Sequence, residues 1–181
     1  MIKRLLIFLC LSSLGYSEEY LIKLNHTKQD KLLCVPACVS IVLNYYGENI
    51  DQKDLKRLIE NNDLKDSNNR LYTKTKFWKV EIALKELGYN WQEKEFNING
   101  GNSGIEYIKK EIANNNPVIV SVNKEYGQHA FILNGFGKDY FIVTDPNEDS
   151  DCIKYTFKDF RKIWQSQGSA RYLLKTQNKN K

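Results

Sequence analysis

Cys34, His129 and Asp145 are residues of this chain whose types could together cleave an acyl bond. A thiolate attacks carbonyl carbon, an imidazole takes and returns the proton, and a carboxylate holds the imidazole in one tautomer. The only histidines are His26 and His129, so the choice of base is narrow. From Cys34 the chain reads CVPACVSIVLNYYG, with Ala37, Cys38, Ile41, Val42 and Tyr45 at the three-to-four spacing of one buried helical stripe. Pro36 fits only the first turn, where its missing N–H costs no intrahelical bond, and Gly47 closes the helix as a C-cap. Cys34 therefore lies at a helix N-terminus, where unpaired N–H groups and the macrodipole favour the thiolate. The dipole contributes only ~0.3–1 kcal/mol, less than one pKa unit, so a thiol of ordinary pKa about 8.5 needs a basic partner as well.

His129 opens the strand-like run HAFILNGFG, which follows the strand PVIVSV across the turn-prone NKEYGQ. Sixteen residues after His129, past the turn at Gly137–Asp139 and the strand YFIVTD, comes Asp145-Pro146. Two antiparallel strands joined by that turn put His129 and Asp145 at the same end of a sheet. Singly, such a histidine is more often a satisfied strand-edge residue, and an Asp-Pro pair more often only a turn. Together with Cys34, the three features shift the balance towards a triad.

The Tyr-Tyr-Gly-ended helix after Cys34, the strand beginning at His129 and the later Asp-Pro resemble the C39 cysteine peptidases and their C39-like relatives, over roughly residues 28–164. The resemblance implies a papain-like fold with Cys34 as nucleophile, His129 as general acid and base, and Asp145 as the orienting carboxylate. It also implies Gln29 as the side-chain amide that supports the oxyanion, although Gln29 stands five residues ahead of Cys34 where the family usually has six. Val35 occupies a place where glycine is common in the family. Peptide or protein substrates follow from the likeness, and many such enzymes cut leader peptides after two glycines while attached to an ABC exporter. Two other functions stay open: an acyl or peptidyl transferase that uses the same triad, and an inactive leader-binding module of a secretion system, in which the Cys34 thiol is ordinary.

Further elements must hold these residues in place. Asp51 and Asp54 start a helix running to about Asn61; Thr75 to Leu87 reads as another, with Trp78, Ile82, Ala83 and Leu87 inward. Ser103 can cap a helix through Ala113, Pro117 enters the sheet, and Thr156 can cap a short helix containing Phe157, Phe160 and Trp164 before a closing strand ARYLL. The expected fold class is α+β: a helical half bearing the nucleophile, packed on an antiparallel sheet that bears its partners.

At the N-terminus, Lys3 and Arg4 precede the apolar run Leu5–Leu14 and the small residues of Gly15-Tyr16-Ser17, the pattern of a secretory signal over residues 1–17. The expected domain then spans residues 18–181, periplasmic or secreted, with no membrane span in the mature chain, because a span needs about 20 apolar residues. Such a stand-alone form would serve a separate secretion or export system. Removing the leader leaves Cys34, Cys38 and Cys152, an odd number, so one thiol is unpaired within the chain; Cys38 is either a buried thiol or bonded to Cys152. The formal charge of +5 includes Lys3 and Arg4, leaving about +3 beyond residue 17 on a mixed surface, which argues against a nucleic-acid partner. The mechanism requires no metal or other cofactor, and the chain has neither zinc-finger spacing nor a Walker motif.

Overall fold

The computed structural model describes residues 19–61, 75–100, 102–150, 152–164 and 170–179. The expected signal segment lies outside the described residues, as does Cys10. Among the described residues, no helix is long and apolar enough to cross a membrane.

The helical half begins with α1 (Cys34–Tyr45), followed by α2 (Gln52–Asn61) and α3 (Phe77–Glu86). α1 starts at Cys34 itself, and Gly47 beyond its end has φ +93°, the left-handed conformation that glycine adopts without steric cost. The helix is buried around most of its circumference, from Val35 to Val39 and again from Ile41 to Leu43, so it is not the one-sided stripe of the sequence pattern. It is enclosed because α2 covers one side and the sheet another. Asp51 caps α2, its Oδ1 accepting from the Lys53 N–H at 2.8 Å. In α3 the inward residues are Phe77, Val80, Ala83 and Leu84, while Ile82 is 42% exposed. The face expected from sequence was rotated by about one residue. The apolar residues of this helix occupy nearly every direction, so their spacing does not define a phase.

The sheet contains β1 (Tyr20–Leu21), β2 (Gln92–Asn97), β3 (Val118–Lys124), β4 (Gly127–Phe136), β5 (Tyr140–Thr144), β6 (Ile153–Thr156) and β7 (Ala170–Lys175). Its order is β2-β7-β3-β4-β5-β6, with β1 also on β4, and every pairing is antiparallel. α4 (Ser103–Ala113) packs on β4, and α5 (Phe157–Ile163) follows β6 directly. Thr156 caps α5 as expected, accepting from the Asp159 N–H at 3.1 Å. Ser103 does not cap α4: it is the first helical residue, and its hydroxyl donates to the Gly100 carbonyl at 2.9 Å. The α+β class, helices against an antiparallel sheet, is as expected from the sequence.

Two registers position the site. In the β3–β4 hairpin Lys124 pairs with Gly127 and Val122 with His129, so only Glu125 and Tyr126 lie in the connection. On the other side of β4, Ile132 pairs with Thr144, which carries the chain from β5 towards the His129 end as it reaches Asp145. β1 lies along the far end of β4, Leu21 opposite Gly135, and the Ile22 N–H donates to the Asn134 carbonyl at 2.7 Å. Gly135 permits this approach, since a Cβ there would stand 2.6 Å from the Tyr20 carbonyl oxygen. Gly135→Val is expected to lower stability by about 1–3 kcal/mol, the usual range for overpacking, because the obstructing atom is backbone and no rotamer change relieves it. Urea unfolding of the two proteins checks this.

Candidate active site

The loop before α1 brings Cys34 into place. Gln52, at the start of α2 and 7% exposed, grips that loop twice: its Oε1 accepts from the Asp30 N–H at 2.9 Å and its Nε2 donates to the Lys28 carbonyl at 3.1 Å. A turn closes from the Leu33 N–H to the Asp30 carbonyl, with Leu32 at φ +65°, and Leu33 forms the N-cap of the helix that Cys34 opens. The same loop is tied to the chain beyond β5. His26 Nε2 donates to the Asp145 carbonyl at 3.1 Å, the Gln29 N–H to the Pro146 carbonyl at 2.7 Å, and Lys28 forms an exposed ion pair with Asp149.

Cys34, His129 and Asp145 form one hydrogen-bonded line. His129 Nε2 lies 2.6 Å from Asp145 Oδ1. An ionised carboxylate only accepts, so Nε2 carries the proton, and the imidazole's Nδ1 is left for its hydrogen bond with the Cys34 thiol. Asp145 is fully buried and also accepts from the Asn147 N–H at 2.9 Å and from Lys124 Nζ at 2.7 Å.

The electrostatics follow from these contacts. Burial pushes the Cys34 thiol up, but it is outweighed by the hydrogen bond and charge of His129 and by the N–H groups of Ala130 and Val35, so the thiol ends below its ordinary value. For His129 burial works downward, and the hydrogen bonds and charges of Asp145 and Cys34 prevail, raising it from 6.5 to about 9. Burial likewise opposes ionisation of Asp145, which His129, Lys124 and the Asn147 N–H bring from 3.8 to about 2. Between the lowered thiol value and about 9, this favours thiolate beside imidazolium, the reactive form of the pair. Cys38, one helical turn on, is fully buried, and its thiol lies 3.5 Å from the Ala130 carbonyl. Burial, reinforced by the Cys34 and Asp145 charges, holds it well above the usual thiol range, so it does not compete as nucleophile. Among the described residues no disulfide joins Cys38, which is buried, to Cys152, which is exposed.

Cys34 and His129 open onto a cleft of about 560 Å³. Leu32, Val35, Phe77 and Trp78 wall it from the helical side, and Ser121, Gln128 and Tyr172 from the sheet. The sheet divides here: β3 and β7 are paired from Val118 to Val120, and Ser121 and Tyr172, next on each strand, both face the cleft. Gln29 is not among the cleft's lining residues, and its buried Oε1 has no hydrogen-bond partner among the described residues. Thus three of the four residues singled out from sequence come together, while Gln29 is fixed by its backbone to the segment after Asp145. Sequence reasoning missed Lys124, His26 and Gln52. Lys124 is set two pairs beyond the Val122–His129 pair on the hairpin ladder, a register that the turn-prone run NKEYGQ does not reveal by itself.

Helices packed against an antiparallel sheet, with a cysteine at a helix N-terminus facing a histidine from a strand, define the papain-like class of fold. Within that class the chain belongs to the Peptidase_C39-like family, whose model matches residues 20–172. Its fold is similar to a crystal structure described as a C39-like peptidase from Bacillus anthracis, with TM-score 0.65 and 18% identity over 89% of this chain and 98% of the other. It is also similar to the peptidase domain of Streptococcus ComA, a bifunctional ABC transporter of a quorum-sensing pathway, with TM-score 0.57 and 20% identity over 87% and 99% of the two chains. A double-glycine-motif protease from an AMS/PCAT transporter, solved with its leader peptide, matches with TM-score 0.57 and 18% identity over 87% and 94%. No curated protein matches the sequence.

The pKa shifts set the pH dependence of stability. Asp145 is depressed, so its contribution is complete above about 4 and is lost as pH falls through about 2, an effect on the order of 2 kcal/mol. His129 is raised, so its contribution is complete below about 6.5 and is lost as pH rises through about 9. The lowered Cys34 thiol acts in the opposite sense, because thiolate with imidazolium holds the same single proton as the unfolded thiol with a neutral imidazole. Chemical denaturation across pH is therefore expected to show the acid decline below about pH 4 in the native protein, and an alkaline decline that is marked only in Cys34→Ala, where His129 is left without that offset.

Proposed function

We propose that this protein is an exported cysteine peptidase that cleaves peptide bonds with a Cys34–His129–Asp145 triad. The observation that carries the reading is the unbroken hydrogen-bonded line from a lowered thiol through a raised imidazole to a buried carboxylate, at the edge of a cleft. At rest the proton of Cys34 passes to His129 Nδ1. The thiolate then attacks the peptide carbonyl, and the bond to the leaving amine breaks as the imidazolium returns that proton to nitrogen. Water, deprotonated by His129, releases the acyl group from sulfur and restores the thiol. Asp145 keeps the imidazole in the Nε2–H tautomer throughout. The helix N-terminus, with the N–H groups near Sγ, supports the negative charge; Gln29, which the family resemblance suggests for oxyanion support, would have to turn towards the cleft to supply it.

Two solved neighbours come from transporters, and one is a double-glycine-motif protease bound to its leader peptide; a leader or other exported polypeptide is therefore the proposed substrate. The basic and apolar pattern of residues 1–17 supports export to the periplasm or beyond as a stand-alone partner of a separate secretion system. A second reading, a leader-binding module without turnover, is favoured by Val35 on the cleft wall beside Cys34 and by the position of Gln29 away from the cleft lining.

Iodoacetamide labelling of Cys34 is expected to be fast at pH 5–6 in the native protein and slow in His129→Ala, with labelled sites identified by mass spectrometry. Peptides containing a Gly-Gly pair are expected to be cut, and Cys34→Ala to abolish cutting. Ordinary thiol titration at Cys34 would sink the peptidase reading; a shifted thiol that binds such peptides without cutting them would establish the second.

A further inference from the structure

Asp145 has two oxygens, and the triad uses one. Oδ1 takes the His129 Nε2 proton and the Asn147 N–H, while Oδ2 takes Lys124 Nζ at 2.7 Å. Lys124 ends β3, where the short connection to Gly127 fixes its place on the ladder two pairs from the Val122–His129 pair. Its side chain is only 12% exposed, and the ammonium sits 5.6 Å from the Phe131 ring centroid, 5.8 Å from Tyr155 and 6.0 Å from Tyr126. Three aromatic rings therefore enclose the cation on a course that ends at the carboxylate.

We propose that Lys124 is a positioning residue of the triad: its ammonium pins Asp145 Oδ2 so that Oδ1 stays directed at His129, and its charge sets the pH window of the thiolate–imidazolium pair. The inference rests on the triad reading above. The torsion about an aspartate's Cβ–Cγ bond is soft and roughly two-fold, so a carboxylate held by one oxygen swings. One held on both oxygens by cations on opposite sides does not. Lys124 also completes a charge balance in a dry site: thiolate and carboxylate against imidazolium and ammonium.

The charged and titratable groups around it are few. His129 on β4 lies across the carboxylate, with Cys34 of α1 beyond it; Tyr155 approaches from β6 and Tyr126 from the connection. Glu125 and Glu148 share with Lys124 the walls of a neighbouring depression of about 360 Å³, to which α5 contributes only Ile163. Without the ammonium, the two anions act on His129 alone, so the imidazole keeps its proton to higher pH. The thiol and the carboxylate, having lost a nearby cation, give up theirs only at higher pH.

Lys124→Met and Lys124→Arg in the full chain test this, read by NMR titration of the His129 imidazole and by the pH dependence of Cys34 alkylation. In Lys124→Met both midpoints are expected to rise, and kcat to fall about tenfold with KM unchanged, the signature of a misaimed catalytic group. Lys124→Arg, which retains the charge, is expected to keep both midpoints. Unchanged midpoints in Lys124→Met overturn the assignment, as does a Lys124→Arg protein that shifts as far as Lys124→Met. Should Lys124→Met fail to fold, Lys124→Gln gives the same neutralisation with a donor retained, and the same outcomes decide. An ordinary thiol in the native protein would sink the peptidase reading instead, and the His129 midpoint would still judge Lys124.

Discussion

A carboxylate with no exposed surface must be compensated where it lies, and the active-site end of this molecule is arranged around that requirement. Asp145 is charged and fully buried, so leaving it unpaired would cost several kcal/mol. The compensation comes from distant parts of the chain: His129 from β4, Lys124 from β3, and the Asn147 N–H from its own turn. Even its carbonyl is used, by His26 of the N-terminal segment. A group that many partners hold in one place and one ionisation state is well suited to orient a base, so a demand of stability and a demand of chemistry coincide at this residue.

The nucleophile side depends on the same contacts less directly. Gln52 fixes the loop that leads into α1, and that loop leans on the segment after Asp145 through Gln29 and Lys28. Helical half and sheet are thus joined beside the line along which Cys34 faces His129. The cleft opens where β3 and β7 part, so the sheet's own division provides room for a substrate next to the reacting atoms.

Much of this was legible in the residues. Pro36 could only stand in a first turn, which put Cys34 at a helix start, and the hairpin spacing carried His129 and Asp145 to one end of the sheet. Other features depended on contacts between segments far apart in sequence. The docking of Gln29 on Pro146 and of His26 on the Asp145 carbonyl spans over a hundred residues and leaves no local pattern. The inward face of α3 escaped because apolar residues surround that helix, so that only the sheet and α2 decide which of them are covered. Lys124 lay hidden in plain composition: lysine in a turn-prone run normally reads as solvent-facing, and only the register turns it inward.

The separation of the triad along the chain has a consequence for biosynthesis. Cys34 and His129 stand ninety-five positions apart in the chain, and β1 waits for a partner strand more than a hundred residues downstream. A ribosome or translocon that releases the chain N-terminus first therefore delivers the cysteine long before anything that activates it. During that interval the thiol has its helix but no imidazole, and so the reactivity of any free cysteine. Contacts of such long range also form late in folding. On the proposed triad, the architecture thereby couples activation of the thiol to completion of the sheet.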